Sequence, residues 1–162
     1  MEIERKFLLS AVPAIEPEMY ATVKQIYLCI NPETRIRVIE DYKIPEDHLL
    51  KEPEATITVK GDGGLVREEL ISGIDKTFAY ETITLLGRPP IIKHWQAWHY
   101  GDLLIETNIV DRGTPNEFIY AEVEFPDIES AQKFVWPYGH LIADVTEVPK
   151  YKMKNYWKRT RI

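Results

Sequence analysis

Residues 1–9 read MEIERKFLL, and the fold turns on how that alternation is placed. In a strand, successive side chains point to opposite faces. One face of this stretch therefore carries Glu2, Glu4 and Lys6, and the other carries Ile3, Arg5 and Phe7. Alone, nine such residues describe an edge strand with its charged side in water. The rest of the chain either repeats the pattern or leaves it as a surface detail.

It repeats the pattern. TRIRV (34–38) sets Arg35 and Arg37 against Ile36 and Val38, and TITVKG (56–61) sets Thr56, Thr58 and Lys60 against Ile57 and Val59. VREEL (66–70) aligns Arg67 with Glu69. LIETNI (104–109) aligns Glu106 with Asn108, and YAEVEF (120–125) aligns Glu122 with Glu124. An exposed sheet face gives the same period, so alternation alone does not say which side looks inward. Composition adds a hint, because these ionic faces are concentrated by sign rather than mixed with serine and glutamine. If the sheet closes with them inside, acids and bases meet in one water-filled lumen. Oxygen-only acids gathered there favour Mg²⁺ or Mn²⁺ over zinc. Facing arginines and lysines call for an anion, and a metal–polyphosphate complex satisfies both.

Strand signals fall at 1–9, 23–30, 34–40, 54–60, 65–72, 91–98, 102–110 and 118–125, eight in all, separated by NPE, GDGG, GRPP, YGD and DRGTPNE. Residues 41–53 read as a longer loop. Asp75 is placed to cap a helix carrying Phe78, Ile83, Leu85 and Leu86, ended by Gly87. Asp127 is placed to cap another with Ile128, Ala131, Phe134 and Val135 on its apolar face, and a short basic helix is expected around 152–160. The expectation is an α+β domain spanning 1–162, built on an eight-stranded antiparallel barrel with two or three short helices.

Bulk properties narrow the function. A length of 162 residues suffices for one self-supporting core. Cys29 is the single cysteine, which excludes an internal disulfide and disfavours structural zinc. The N-terminus lacks the features of a secretory signal and no apolar run approaches a membrane span, so a cytoplasmic protein without membrane contact is expected. The net charge of −6 is uneven: residues 150–162 hold six bases and no acid, leaving −12 on the first 149 residues. Such a tail is expected to pack back over the acidic body rather than to bind nucleic acid. His48, His94, His99 and His140 show no ligand spacing and read as surface or loop residues. Trp95 and Trp98 read as wall or mouth packing.

Read together, the strands resemble the CYTH superfamily, the triphosphate tunnel metalloenzymes. Glu2-Ile3-Glu4-Arg5-Lys6 resembles its E-x-E-x-K signature, QIYL (25–28) its second strand, RIR (35–37) its paired-arginine strand and TITVKG its lysine strand. GLVREEL (64–70) resembles its R-x-E strand, AEVEF (121–125) its E-x-E strand and DVTEVPKY (144–151) its closing segment. The resemblance implies an eight-stranded tunnel that binds a triphosphate with Mg²⁺ or Mn²⁺, and it lies nearest the small bacterial inorganic triphosphatases. It implies metal binding by Glu2, Glu4, Glu122 and Glu124, with Glu106 as a fifth candidate, and phosphate binding by Lys6, Arg35, Arg37, Lys60 and Arg67. Lys93, in IIKHW (91–95), matches a tunnel lysine that in some members pairs with a tyrosine, here Tyr27, to assist the departing phosphate or orient water. A homodimer is common in the family.

The chain departs from the family pattern at several points. Trp95 stands where an arginine is usual, Asn108 where an aspartate is usual, and Ile71 replaces an acid often found after Glu69. Val148 and Met153 stand where polar residues are common. The expected activity is metal-dependent hydrolysis of a triphosphate-containing small molecule, inorganic tripolyphosphate first. A polyphosphate or nucleotide binder that no longer cuts is the alternative, ahead of an adenylyl cyclase or a thiamine triphosphatase.

Overall fold

In the computed structural model, residues 1–45 and 53–162 are described. Each of the eight segments read as strands enters the sheet: β1 (Glu2–Leu9), β2 (Met19–Ile30), β3 (Glu33–Lys43), β4 (Ala55–Lys60), β5 (Val66–Arg67) with β6 (Glu69–Gly73), β7 (Ile91–Tyr100), β8 (Leu103–Val110) and β9 (Phe118–Glu124). Glu68 divides the segment at 65–72 into β5 and β6. A strand with no clear signal, β10 (Leu141–Asp144), is added at one edge.

All pairings are antiparallel, in the order β10-β1-β9-β8-β7-β2-β3-β4-β6. The barrel wall thus has nine strands in its path, not eight. It nearly closes because β5 turns from its neighbour β6 to pair with β1, through Glu2↔Arg67 and Ile3↔Val66. Two strands run longer than their sequence signals: β2 begins at Met19 and β3 runs to Lys43, taking the start of the segment expected as a loop at 41–53. His48 and the remainder of that loop through residue 52 lie outside the described residues.

The outward faces supply most of the core. Ile26, Ile36 and Val38 from outward faces join Ile91 and Val110 from inward ones in a cluster with Ala79 of α1 (Lys76–Leu86) and Tyr156 and Trp157 of α3 (Met153–Arg161). Ile3, Phe7, Ile105 and Val123 pack beneath α2 (Ile128–Lys133), with Ala131 and Trp136. Burial at roughly 25 cal/mol per Å² makes these faces the main source of stability.

The caps are as read. Asp75 accepts from the Phe78 amide at 3.0 Å, and Gly87 ends α1 at φ 68°, a conformation natural to glycine. Asp127 accepts from the Ser130 amide at 2.7 Å. The expected apolar faces need correction. Phe78 and Leu85 are exposed, and it is Ala79 with Ile83 and Leu86 that meet the barrel. α2 stops at Lys133, so Phe134 and Val135 lie past its end; Phe134 still packs, while Val135 is exposed. Arg5, on the outward face of β1, holds that end by donating to the Ala131 and Phe134 carbonyls at 2.7 Å each, and it pairs with Asp144 at 2.6 Å.

The basic tail folds back as expected. Arg161 pairs with Asp111 at 2.6 Å and Tyr156 donates to the same carboxylate, closing α3 against the turn after β8. Lys154 reaches Asp62 at 3.4 Å, and Lys152 donates to the Gly63 carbonyl at 2.6 Å. Among the described residues, no helix is long and apolar enough to cross a membrane.

Candidate functional site

Register decides which face looks inward. Cross-strand partners are Glu4↔Glu124 and Lys6↔Glu122, then Glu106↔Glu122, Trp95↔Asn108, Gln25↔Arg37, Tyr27↔Arg35 and Lys60↔Glu69. Partners in register share a face, so the ionic faces of every strand lie on the same side of the wall. That side is the inside: a cavity of about 370 Å³ is lined by all twelve residues picked out from the sequence. Glu2, Glu4 and Lys6 therefore face a lumen, not water outside the barrel.

Inside, charge is balanced locally. Lys60, 3% exposed, donates to Glu2 at 2.9 Å and approaches Glu69 at 3.2 Å. Arg67 bonds Glu2 at 3.3 Å and Glu33 at 3.4 Å, and Lys6 pairs with Glu122 at 2.9 Å. Burial would raise the Glu122 and Glu2 carboxyls, but the lysines beside them hold both below the usual range. Glu4 goes the other way: burial and the nearby Glu122 push its pKa up to about 8. Glu124 is also raised, by burial and by Glu2 and Glu69.

Lys93 and Tyr27 line the same cavity, but no hydrogen bond joins them. Tyr27 accepts from Gln25 Nε2 at 2.9 Å and packs on Trp157 at a ring separation of 6.0 Å. Lys93, 2% exposed, holds its ammonium over the Tyr120 ring at 5.4 Å. Burial, then Arg37, pushes the Lys93 amine well below its ordinary value, and burial raises the Tyr27 phenol. The two act from separate positions on the wall.

Several further residues line or brace the lumen. Glu33 stands one inward step before Arg35 and is buried against Arg67, a position the alternation already marks. Glu69 was aligned with Arg67 but not counted; it takes Lys60 and, at 3.6 Å, Arg35. Gln25 fixes Arg37 through a 2.9 Å bond from Arg37 Nε. Lys152 reaches the lumen only because the tail folds back, which no local pattern signals. Trp98 is core, and Trp95 is wall, donating to Glu106 Oε1 at 2.8 Å. His99 pairs with Glu18 at the surface, and exposed His140 directly precedes β10 with φ 68°.

The lumen suits a metal-bound polyanion. Arg35, which lines the cavity, has its Nε buried with no hydrogen-bond partner among the described residues. Leaving such a group unmet costs about 1–3 kcal/mol, which an oxygen of a bound phosphate chain would offset. Among the described residues no three acids or histidines converge as a ready cage. The donors are nevertheless carboxylates alone, as a hard divalent ion prefers. Glu4 opposite Glu124 is the pair whose raised pKa a cation would reverse.

An antiparallel barrel whose inward faces carry paired acids and bases is the architecture that the sequence resemblance implies. No family model matches the sequence, and no curated protein is a significant match. Solved structures do match. The inorganic triphosphatase NE1496 is 27% identical, covers 96% of this chain and 93% of its own, and superposes with a TM-score of 0.61. PH1819 from Pyrococcus horikoshii OT3 (17% identity, 82% of each chain, TM-score 0.52) and a candidate adenylate cyclase from Bacillus halodurans (15%, 82% and 84%, TM-score 0.53) share the fold. The chain thus shares its fold with these proteins and is similar to the inorganic triphosphatase over nearly its whole length.

Proposed function

We propose that this protein hydrolyses a triphosphate chain in its lumen with the help of a divalent cation, inorganic tripolyphosphate being its first substrate. The observation that carries the reading is the convergence of Lys6, Arg35, Arg37, Lys60, Arg67 and Lys93 on one cavity that also holds five candidate acids. The likeness to an inorganic triphosphatase over nearly the whole chain supports it.

Arg35, Arg37 and Lys60 grip the phosphate oxygens and neutralise the charge that grows as the chain is cut. Glu2, Glu4, Glu122 and Glu124, with Glu106 at the edge, would hold Mg²⁺ or Mn²⁺, which polarises phosphoryl oxygens when bound. A water oxygen bonds to the terminal phosphorus in line while the bridging P–O bond breaks. The electron pair leaves with pyrophosphate, and the water's protons pass to phosphate oxygen and solvent. Lys93, its amine depressed by burial, takes up a proton beside the anion and steadies the departing oxygen. Tyr27, held by Gln25, fixes the neighbouring Arg35 strand position.

Phosphate release from tripolyphosphate, ATP and thiamine triphosphate, with Mg²⁺ or Mn²⁺, tests this against a Lys93→Ala control. Metal-dependent release that collapses in the variant is expected. Because Trp95 and Asn108 replace charged family residues, a binder is the second reading. Its signature is a raised melting temperature with tripolyphosphate and no release at any metal concentration.

A further inference from the structure

Lys93 has an aromatic neighbour, but not the one its sequence match implies. Tyr27 bonds to Gln25 and leans on Trp157, whereas the Lys93 ammonium stands 5.4 Å from the centre of the Tyr120 ring. The Lys6 ammonium lies over the same ring at 4.3 Å. Lys6 also has Glu122 at 2.9 Å and the Tyr151 carbonyl at 3.3 Å. Lys93 makes no ion pair or hydrogen bond among the described residues, and Glu122 attracts it only from beyond ion-pair distance. Tyr120 is the inward residue one step along β9 from Glu122, between Leu8 of β1 and Asn108 of β8. It is fully buried and stacks at 5.7 Å on Phe118, which packs at 5.2 Å on Tyr156 of α3. The ring is thus braced from the α3 side. Its hydroxyl meets no hydrogen-bond partner among the described residues, so what it offers the two lysines is the ring face. An ammonium within about 6 Å of a ring centre is drawn to that face, more strongly when both are out of water.

We propose that Tyr120 is a positioning residue for Lys93 and Lys6, its ring seating both ammoniums at the lumen before any anion arrives. The proposal rests on the triphosphatase reading and adds to that site a residue that itself touches no phosphate. A lysine has a long flexible stem, and fixing one at a binding site costs affinity that a ready-made seat avoids. A carboxylate in the same place would also hold the lysines, but it would compete with an incoming phosphate for them. The uncharged ring steadies each ammonium and leaves its charge and its N–H donors for phosphate oxygens. Lys93, with no counter-ion at hand, depends on this seat more than Lys6 does.

Tripolyphosphate affinity, measured by calorimetric titration with and without Mg²⁺ in wild type, Tyr120→Phe and Tyr120→Leu, tests this. Tyr120→Phe keeps the ring and is expected to keep the wild-type affinity. Tyr120→Leu is expected to weaken binding about tenfold, and that loss should shrink when Lys93→Met is already present, since the ring then has one lysine fewer to seat. Where Tyr120→Leu does not fold, the wild type answers alone. With lysine isotopically labelled at Cε, the Lys6 and Lys93 signals, identified by their loss in Lys6→Arg and Lys93→Arg, should be shifted upfield by the ring current relative to the unfolded chain. A loss undiminished by Lys93→Met, a loss as large in Tyr120→Phe, or unshifted lysine signals overturns the positioning role and leaves the triphosphatase reading standing. Failure of the wild type to bind tripolyphosphate under either condition overturns that reading and the role with it.

Discussion

Glu4 of β1 stands directly opposite Glu124 of β9, and neither carboxyl takes an ion pair among the described residues. Two carboxyls so placed repel when both are ionised, and holding Glu4 as the neutral acid instead also costs free energy, about 1 kcal/mol or more. An arrangement that costs stability and faces a lumen points to binding. Glu4→Gln is therefore expected to raise the metal-free melting temperature by roughly 3 °C while abolishing metal-dependent phosphate release. Melts in EDTA beside a release assay check both. A lower melting temperature, or unaltered turnover, contradicts the assignment.

Lys93 gives a prediction of opposite sign in protons. Burial and Arg37 hold its amine well below the ordinary lysine value, so it is neutral in part when no anion is near. A polyphosphate beside it favours the charged form. At about pH 9, below the roughly 10.4 of an ordinary lysine, tripolyphosphate binding is expected to take up a proton. Titrations in buffers of different ionisation enthalpy measure the uptake, and Lys93→Met should remove it. Equal heats across buffers for the wild type would count against the role.

At Lys60 the prediction concerns stability. Its ammonium is buried between Glu2 and Glu69, and removing one partner of a buried ion pair costs about 3 kcal/mol. Lys60→Met should lower stability by that order, and adding Glu2→Gln should restore part of it, since the uncompensated charge goes too. Denaturant melts of both singles and the double mutant measure the coupling. Strict additivity would mean that the pair does not interact.

A fourth prediction concerns the clasp that holds α3. Burial would raise the Asp111 carboxyl, but bonds from Arg161, Tyr156 and the Ile92 amide hold it below its ordinary range. The folded protein thus binds that proton more weakly than the unfolded chain. The clasp's stabilisation is complete above about pH 4 and is lost as pH falls through the depressed value. Asp111→Asn should melt lower than wild type at neutral pH, with the gap narrowing as the solution is acidified. A gap independent of pH would remove Asp111 from that role.

Much of this was legible in the sequence, and for a definite reason. The period of two in TRIRV, TITVKG and YAEVEF is a local property that survives into the sheet, and Asp75, Asp127 and Gly87 carry their capping chemistry within a few residues. Inwardness was not local. It needed register, and register follows from which strands pair: Glu4 meets Glu124, and Arg67 meets Glu2, across long stretches of chain. β10 was missed because its four residues are all exposed, so no apolar face announces it. Exposed Phe78 and Leu85 misled the reading of α1, since the helix docks through the small Ala79. Lys152 joined the lumen through a backward turn of the tail, which pattern does not encode.

On the proposed function, acids and bases share one lumen in order to hold a metal and a phosphate chain together. Crystals soaked with tripolyphosphate and Mn²⁺, and measured for anomalous scattering, test it most directly. A manganese peak bounded by Glu4 and Glu124 is expected, with phosphate density running along Arg35, Arg37 and Lys60. Phosphate density confined to the outer surface, with no manganese inside the barrel, would contradict it.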